Sequence, residues 1–366
     1  MSTATPAPVP AGPDTDALPG LGEVIALRAR SLSPLIWPLL ALAALLLFNF
    51  LFTPGFFAVG VKENGAFYGS LIDVLKNGSP VLLLALGMTL VIGTGGIDLS
   101  VGAIMALAGA TAASLVSPPA ESPFVGWEHL GTRLPLVLLA GMVIAVIAGI
   151  WNGVLVAFLR LQPIVATLIL MVAGRGAAQL LTNGQIPTFE MPGFVWLGSG
   201  SVAKLPVPFV IAAVTTVAMI LLVRGTAIGL FVEAVGNNRL ASRIAGVNAT
   251  GVRLSCYAIS GFLAGIAGLI ATADNKSADV NNLGLNLELD AILAAAIGGA
   301  SLAGGRFSLL GSVLGALVIQ LLTTTILARG YPQENTFVIK ALVIVALCLV
   351  QSSKFLGLFK FLKRSA

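Results

Sequence analysis

PVLLLALGMTLVIGTGGIDLSVGAIMALAGA, residues 80–110, joins two apolar runs through a Gly-Gly break that carries a single carboxylate, Asp98. Backbone that leaves the helix inside hydrocarbon has no water to bond, so it persists only where protein buries it or where it lines a wet path. Interrupted helices of this kind mark the route of polar substrates through transporters. The stretch therefore predicts an all-α integral membrane protein built around a translocation path.

Composition supports the same class. Mean hydropathy is +1.00, and 57% of residues are hydrophobic against 10% charged, a balance that water cannot solvate as a globule. The 42 glycines suit helices that associate by close approach, because lipid removes the hydrophobic drive between them. Gly149/Gly153, Gly261/Gly265 and Gly311/Gly315 each stand four apart in apolar segments. Cys256, Cys348 and the lone His129 cannot assemble a metal site. His129 lies in a polar loop, away from any nucleophile in the membrane core, so no catalytic residue, metal or cofactor is expected. The net charge of +5 gathers at membrane borders, where it reports orientation and not nucleic-acid binding.

Residues 1–33, rich in Ala, Pro, Gly, Thr and Asp, are expected to form a disordered cytoplasmic tail. No cleavable signal is expected, since Asp14 and Asp16 precede Arg28 and Arg30. A membrane domain follows over 34–352 and a basic cytoplasmic tail over 353–366. About ten transmembrane helices are expected, near 35–53, 80–94, 100–117, 134–158, 163–181, 207–223, 254–273, 288–304, 308–328 and 336–352. With this layout Arg28, Arg30, Arg160, Arg224, Arg239, Arg243, Arg253, Arg306 and the C-terminal lysines share one side, which places both termini in the cytoplasm. Gly95-Gly96-x-x-Leu99-x-x-Gly102 recurs as Gly298-Gly299-x-x-Leu302-x-x-Gly305, and the flanking helices line up, so two parallel pseudo-repeats are expected.

Two readings of Asp98 stay open. Asp98 or Ser100 caps the helix that begins at Val101, accepting free backbone N–H groups; or the carboxylate faces a polar passage and bonds substrate hydroxyls. Asn152, Gln162, Thr167, Arg175 and Gln179, with Trp151, lie in or beside the fourth and fifth helices. They are candidates for path or gate, with interhelical bonding the alternative for Asn152 and Arg175. Glu288 and Asp290 open the eighth helix, where acidic residues suit the helix dipole.

The segment 224–253, RGTAIGLFVEAVGNNRLASRIAGVNATGVR, reads as a loop with a short amphipathic helix. Leu240, Ala241 and Ile244 share one side, Arg239 and Arg243 the other, and Gly246 ends it. It either rests on anionic lipid or docks a cytoplasmic partner, with Glu233, Gly236 and Asn237 favouring docking. The chain lacks the GxxxxGK[ST] phosphate loop, so ATP-driven transport requires an ATPase on another chain. An ion-coupled carrier would need an intramembrane ionisable pair, for which Asp98 and Arg175 are the candidates.

LALGMTLVIGTGGIDLSVGAIMALAGA, WNGVLVAFLRLQPIVATLILMVAGRG and GLFVEAVGNNRLASRIAGVNATGVR followed by YAISGFLAGIAG resemble the permease subunits of ribose-type sugar ABC importers, from about Pro34 to the C-terminus. Among these the chain looks most like the galactofuranose permeases, through YGSLIDVL, AAQLLTNGQIPTF and LGLNLELDAILAAAIGGASLAGGRFSLLGS. The resemblance implies a bacterial inner-membrane subunit that works with a cytoplasmic ABC ATPase, a periplasmic sugar-binding protein and a second related permease or a second copy of itself. It also implies that Glu233–Val247 couples ATPase closure to reorientation, with Ser242 standing where family members commonly have alanine. A branched-chain amino-acid permease of the same superfamily and an ion-coupled carrier are the alternatives.

Overall fold

The computed structural model describes residues 21–62 and 65–351. The expected tails over 1–20 and 353–366 lie outside the described residues. The chain folds into α1 (Leu21–Phe52), α2 (Ser70–Gly93), α3 (Val101–Val116), α4 (Glu128–Gly131), α5 (Leu134–Ala157), α6 (Pro163–Leu181), α7 (Pro192–Ser199), α8 (Val207–Gly225), α9 (Ile228–Asn237), α10 (Arg239–Ile244), α11 (Ala249–Asn275), α12 (Leu287–Ile297), α13 (Leu309–Ala328) and α14 (Gln333–Gln351). Its sheet content is two antiparallel pairs, β1 (Gly60–Val61) with β2 (Phe67–Tyr68) and β3 (Ser201–Val202) with β4 (Leu205–Pro206).

Each of the ten expected segments overlaps a helix, although 288–304 runs past the end of α12 at Ile297, and among the described residues seven helices are long and apolar enough to cross a membrane: the Leu35–Phe52 part of α1, then α2, α5, α6, α8, α11 and α13. α3 is apolar but has only 16 residues, and α12 has 11. Two helix starts differ most from expectation. α1 begins at Leu21, inside the stretch expected to be a tail, where Leu, Ala, Glu and Arg are good helix formers. α2 begins at Ser70, so Pro80 lies within the helix and does not open it. The lost Pro donor is tolerable where packed neighbours restrain the helix, and the Ser79 hydroxyl bonds the Leu75 carbonyl at 2.7 Å in the same turn.

α2 is the axis of the molecule. Its residues Val81–Gly93 are buried throughout, and it packs against α8, α9, α11, α12 and α13. α3 is likewise buried from Val101 to Leu115, held by α5, α6 and α11. The long helices α1, α5, α6 and α8 instead keep apolar residues such as Leu47, Ile147, Val172 and Val214 exposed, faces that suit lipid. Small residues set the crossings: a Cβ on Gly149 of α5 would stand 2.9 Å from the Gly261 Cα of α11, an approach closed to larger side chains. Gly311 and Gly315 of α13 meet Gly298 and Ala294 in the same manner. The glycine pairs picked out by spacing are therefore contact surfaces.

Candidate functional site

The break between α2 and α3 turns on Gly95, whose φ of +75° puts it in the left-handed region, where glycine carries no steric cost. The next turn delivers Asp98 into the protein, fully buried. Its Oδ1 accepts from the Ser100 hydroxyl at 2.6 Å and the Ser100 amide at 3.1 Å. The Asn152 amide of α5 donates to the Ser100 hydroxyl at 2.6 Å and to Asp98 Oδ1 at 3.4 Å. Oδ2 accepts from the Ser260 hydroxyl of α11 at 2.9 Å. The carboxylate thus ties the break to two long helices, the role that buried ionisable groups at membrane depth take when fully partnered.

Ser100 occupies the N-cap position of α3 with no side-chain cap bond. Asp98 closes a local turn onto the Ser100 amide and does not cap the helix. Two further groups meet the neighbouring carbonyl of Ile97: the Thr167 hydroxyl of α6 and the Tyr257 hydroxyl of α11, both at 3.4 Å. Asp98, Ser100, Asn152 and Thr167 therefore converge on one break. Ser260 and Tyr257 complete it; both sit in the YAISGFLAGIAG run, but nothing in that run signals a partner some 160 residues upstream.

Gln162 is exposed at the N-cap position of α6, apart from this cluster. Arg175 lies two turns beyond Thr167, about 12 Å along α6. Its guanidinium donates to the carbonyl of Val280, and to those of Asn281 and Leu283 at 3.2 and 3.3 Å. Gln179 adds a bond to the Asn281 side chain at 2.7 Å. The two residues pin the 276–286 loop to α6. Asp98 and Arg175 do not pair; Lys340 of α14 and Asp290 of α12 do, at 2.9 Å, with side chains 13% and 14% exposed. Dipole capping alone had accounted for Asp290.

Against the same C-terminal end of α2 the 224–253 segment forms two helices, α9 and α10, split at Asn238. The Asn238 side chain accepts from the Ala241 amide at 3.0 Å and caps α10. Gly246, at φ +85°, ends it, with the Val247 amide bonded to the Ser242 carbonyl at 2.9 Å. α9 buries Gly229, Val232 and Val235 and leaves Glu233 and Asn237 exposed, while α10 exposes Arg239 and Arg243. Leu240 and Ile244, expected to share one side, are 70% and 80% exposed; a helix of six residues anchored through Ser242 turns them outward. Arg253, counted among the loop charges, is buried and donates to the Val156 carbonyl at 3.0 Å.

Gly236 is the contact point between this segment and the core. A Cβ there would overlap the carbonyl oxygen of Gly93 and the amide of Gly305. These two belong to the break after α2 and the break after α12, and they bond each other at 2.9 Å.

Over residues 70–348 the chain matches the family described as "Branched-chain amino acid transport system / permease component". It is 52% identical over 329 residues to the galactofuranose transporter permease protein YtfT of Escherichia coli (strain K12), covering 88% of this chain and 93% of that protein. Identity is 40% over 337 residues to the fructose import permease protein FruF of Bifidobacterium longum (strain NCC 2705), covering 91% of each. It is 33% over 320 residues to the ribose import permease protein RbsC of Escherichia coli (strain K12), covering 86% and 93%. No solved structure matches the chain.

Proposed function

Because the chain belongs to the permease family of bacterial ribose-type sugar ABC importers, we propose that it carries a monosaccharide, galactofuranose first among the candidates, by alternating access across the inner membrane. It is a multi-pass permease subunit and not itself catalytic. Galactofuranose leads because the relative of that name shares 52% of its residues over nearly its whole length. A branched-chain amino acid is disfavoured, because the galactofuranose, fructose and ribose permeases all align over most of the chain.

In this reading the chain crosses ten times, with α3, α12 and α14 joining the seven long helices and both termini in the cytoplasm. The basic residues that collect on one side support that orientation. The two GGxxLxxG stretches both fall at helix interruptions, 94–100 and 298–308, which supports a parallel repeat. A cytoplasmic ABC ATPase docks on α9 and α10 through Glu233, Gly236, Asn237, Arg239, Arg243 and Gly246. A periplasmic sugar-binding protein delivers substrate, and a second permease or a second copy completes the path. Asp98, Ser100, Asn152, Gln162, Thr167 and Arg175 act as path or gate groups, with the Asp98 cluster closed in this conformation.

One observation carries the coupling: Gly236 seats against Gly93 and Gly305 together, so a push on α9 reaches both interruptions with no intervening side chain. The test is to capture the tagged chain from native membranes in mild detergent, identify its companions, and measure uptake by the reconstituted assembly. An ATPase as companion and ATP-dependent sugar uptake that excess leucine does not inhibit are expected. A chain that comes out alone and moves sugar on an ion gradient would overturn the reading.

A further inference from the structure

We infer that the cavity between α12, α13 and α14 is a subsite for the sugar's hydroxyl groups on its way through the permease, with Asp290, Lys340, Thr336 and Gln320 as its contacts. The inference rests on the proposed sugar transport and adds the place where the permease itself touches the sugar. The cavity measures about 470 Å³, within the range of small-molecule pockets, roughly 300–1,000 Å³. Asp290 and Lys340 form one wall, already joined at 2.9 Å. Gln320 and Thr323 of α13 and Thr336 of α14 face the same space, while Phe337 and several leucines supply apolar surface.

Two observations point to a polar ligand. The Thr336 hydroxyl is buried, with the residue 4% exposed, and has no hydrogen-bond partner. Such an orphan is costly unless something completes it. Gln320 is 9% exposed, yet its amide makes only a 3.4 Å bond to Thr324, near the outer limit of a hydrogen bond.

The chemistry of the lining selects the ligand class. Because Lys340 and Asp290 neutralise each other, the cavity offers no unpaired charge. It offers the remaining N–H groups of the ammonium, the free lone pairs of the carboxylate, a hydroxyl and an amide, each able to donate to or accept from a neutral hydroxyl. A monosaccharide presents such hydroxyls around a ring whose C–H face suits the apolar wall. Gln320 and Leu287 also border a second cavity of about 270 Å³ lined by Asn77, Asn275 and Asn282, so the amide-lined surface continues toward the α2 and α11 ends where Lys76 and Asp274 pair.

Saturation-transfer NMR on the reconstituted full-length permease, with D-galactose, D-ribose and L-leucine as probes, tests this alongside ATP-driven sugar uptake by the assembled importer. Wild type should transfer saturation to the two sugars and not to leucine. Thr336→Val replaces an unpartnered hydroxyl with a methyl and should leave the melting temperature unchanged while weakening the sugar signal and uptake about ten-fold, the value of one lost hydrogen bond. Thr336→Ser keeps the hydroxyl and should restore both; Gln320→Leu should act like Thr336→Val. Undiminished signal in Thr336→Val and Gln320→Leu, absence of a sugar signal from wild type, or a leucine signal in its place would each overturn the subsite. Sugar uptake that persists under any of those results leaves the transport reading standing, whereas its absence from the wild-type assembly defeats that reading itself.

Discussion

The Gly305 amide donates to the Gly93 carbonyl at 2.9 Å, stitching the break after α12 to the break after α2 beside Gly236. Backbone is bonded to backbone at a point where both helices have ended. The bond gives the Gly93 carbonyl, at the last residue of α2, and the Gly305 amide, in the 298–308 connection, a backbone partner. Gly236 meets the joint backbone to backbone, with the Val232, Asn237 and Phe307 side chains packed around it, and in the proposed coupling a movement of α9 would pass directly to it.

Gly236→Ala is therefore expected to insert normally yet lose sugar-stimulated ATP hydrolysis by the assembled complex, since its methyl would push Gly93 and Gly305 apart. Hydrolysis and uptake at wild-type levels would show that the joint tolerates separation.

Arg239→Glu combined with Arg243→Glu reverses two exposed charges on α10 without touching the core. Membrane insertion and melting temperature should hold, and sugar-stimulated ATP hydrolysis should disappear. Unchanged hydrolysis would remove α10 from the docking surface.

Asp98→Ala strands the hydroxyl protons of Ser100 and Ser260, each at a cost of about 1–3 kcal/mol when buried, and leaves the Asn152 amide only its bond to Ser100. Melting temperature and uptake should fall together, with Asp98→Asn intermediate because it keeps one acceptor oxygen. A thermal melt in detergent that stays at the wild-type value while uptake vanishes would refute the tie between break and helices and favour direct contact with substrate.

Arg175→Met releases three carbonyls of the 276–286 loop. Hydrogen exchange in that loop should rise while the α2–α3 break keeps its protection, and Arg175→Lys should rescue only in part, because an ammonium lacks the planar fork. Equal exchange in wild type and Arg175→Met would mean that Gln179 alone holds the loop.

The helices were legible because lipid imposes a length and an apolar run on each of them, and the Gly-Gly break because nothing else interrupts such a run. Gly149 and Gly261 were legible as contact surfaces for a related reason: close packing demands small residues at fixed spacing. The partners of Asp98 were only partly legible. Ser100 is local and Asn152 is polar in an apolar helix, but Ser260 is an ordinary serine until the fold sets it 2.9 Å from a carboxylate. The Lys340–Asp290 pair was hidden for the same reason, since the helix dipole already accounts for Asp290 and only the packing of α14 on α12 brings Lys340 to it. The start of α2 was misjudged because Pro80 resembles a helix opening locally, while the packing that holds the helix through it comes from distant elements.

The Asp98–Ser260 bond spans 162 positions of the chain, and this separation governs how the molecule can be made. Synthesis runs from the N-terminus, so α2 and α3 leave the ribosome long before α11, the helix that supplies Ser260 and much of their covering. During that interval a carboxylate at membrane depth lacks one of its donors, and a helix pair buried on every side in the finished protein has no finished surroundings. The centre of this molecule can therefore be completed only after α11 has been made.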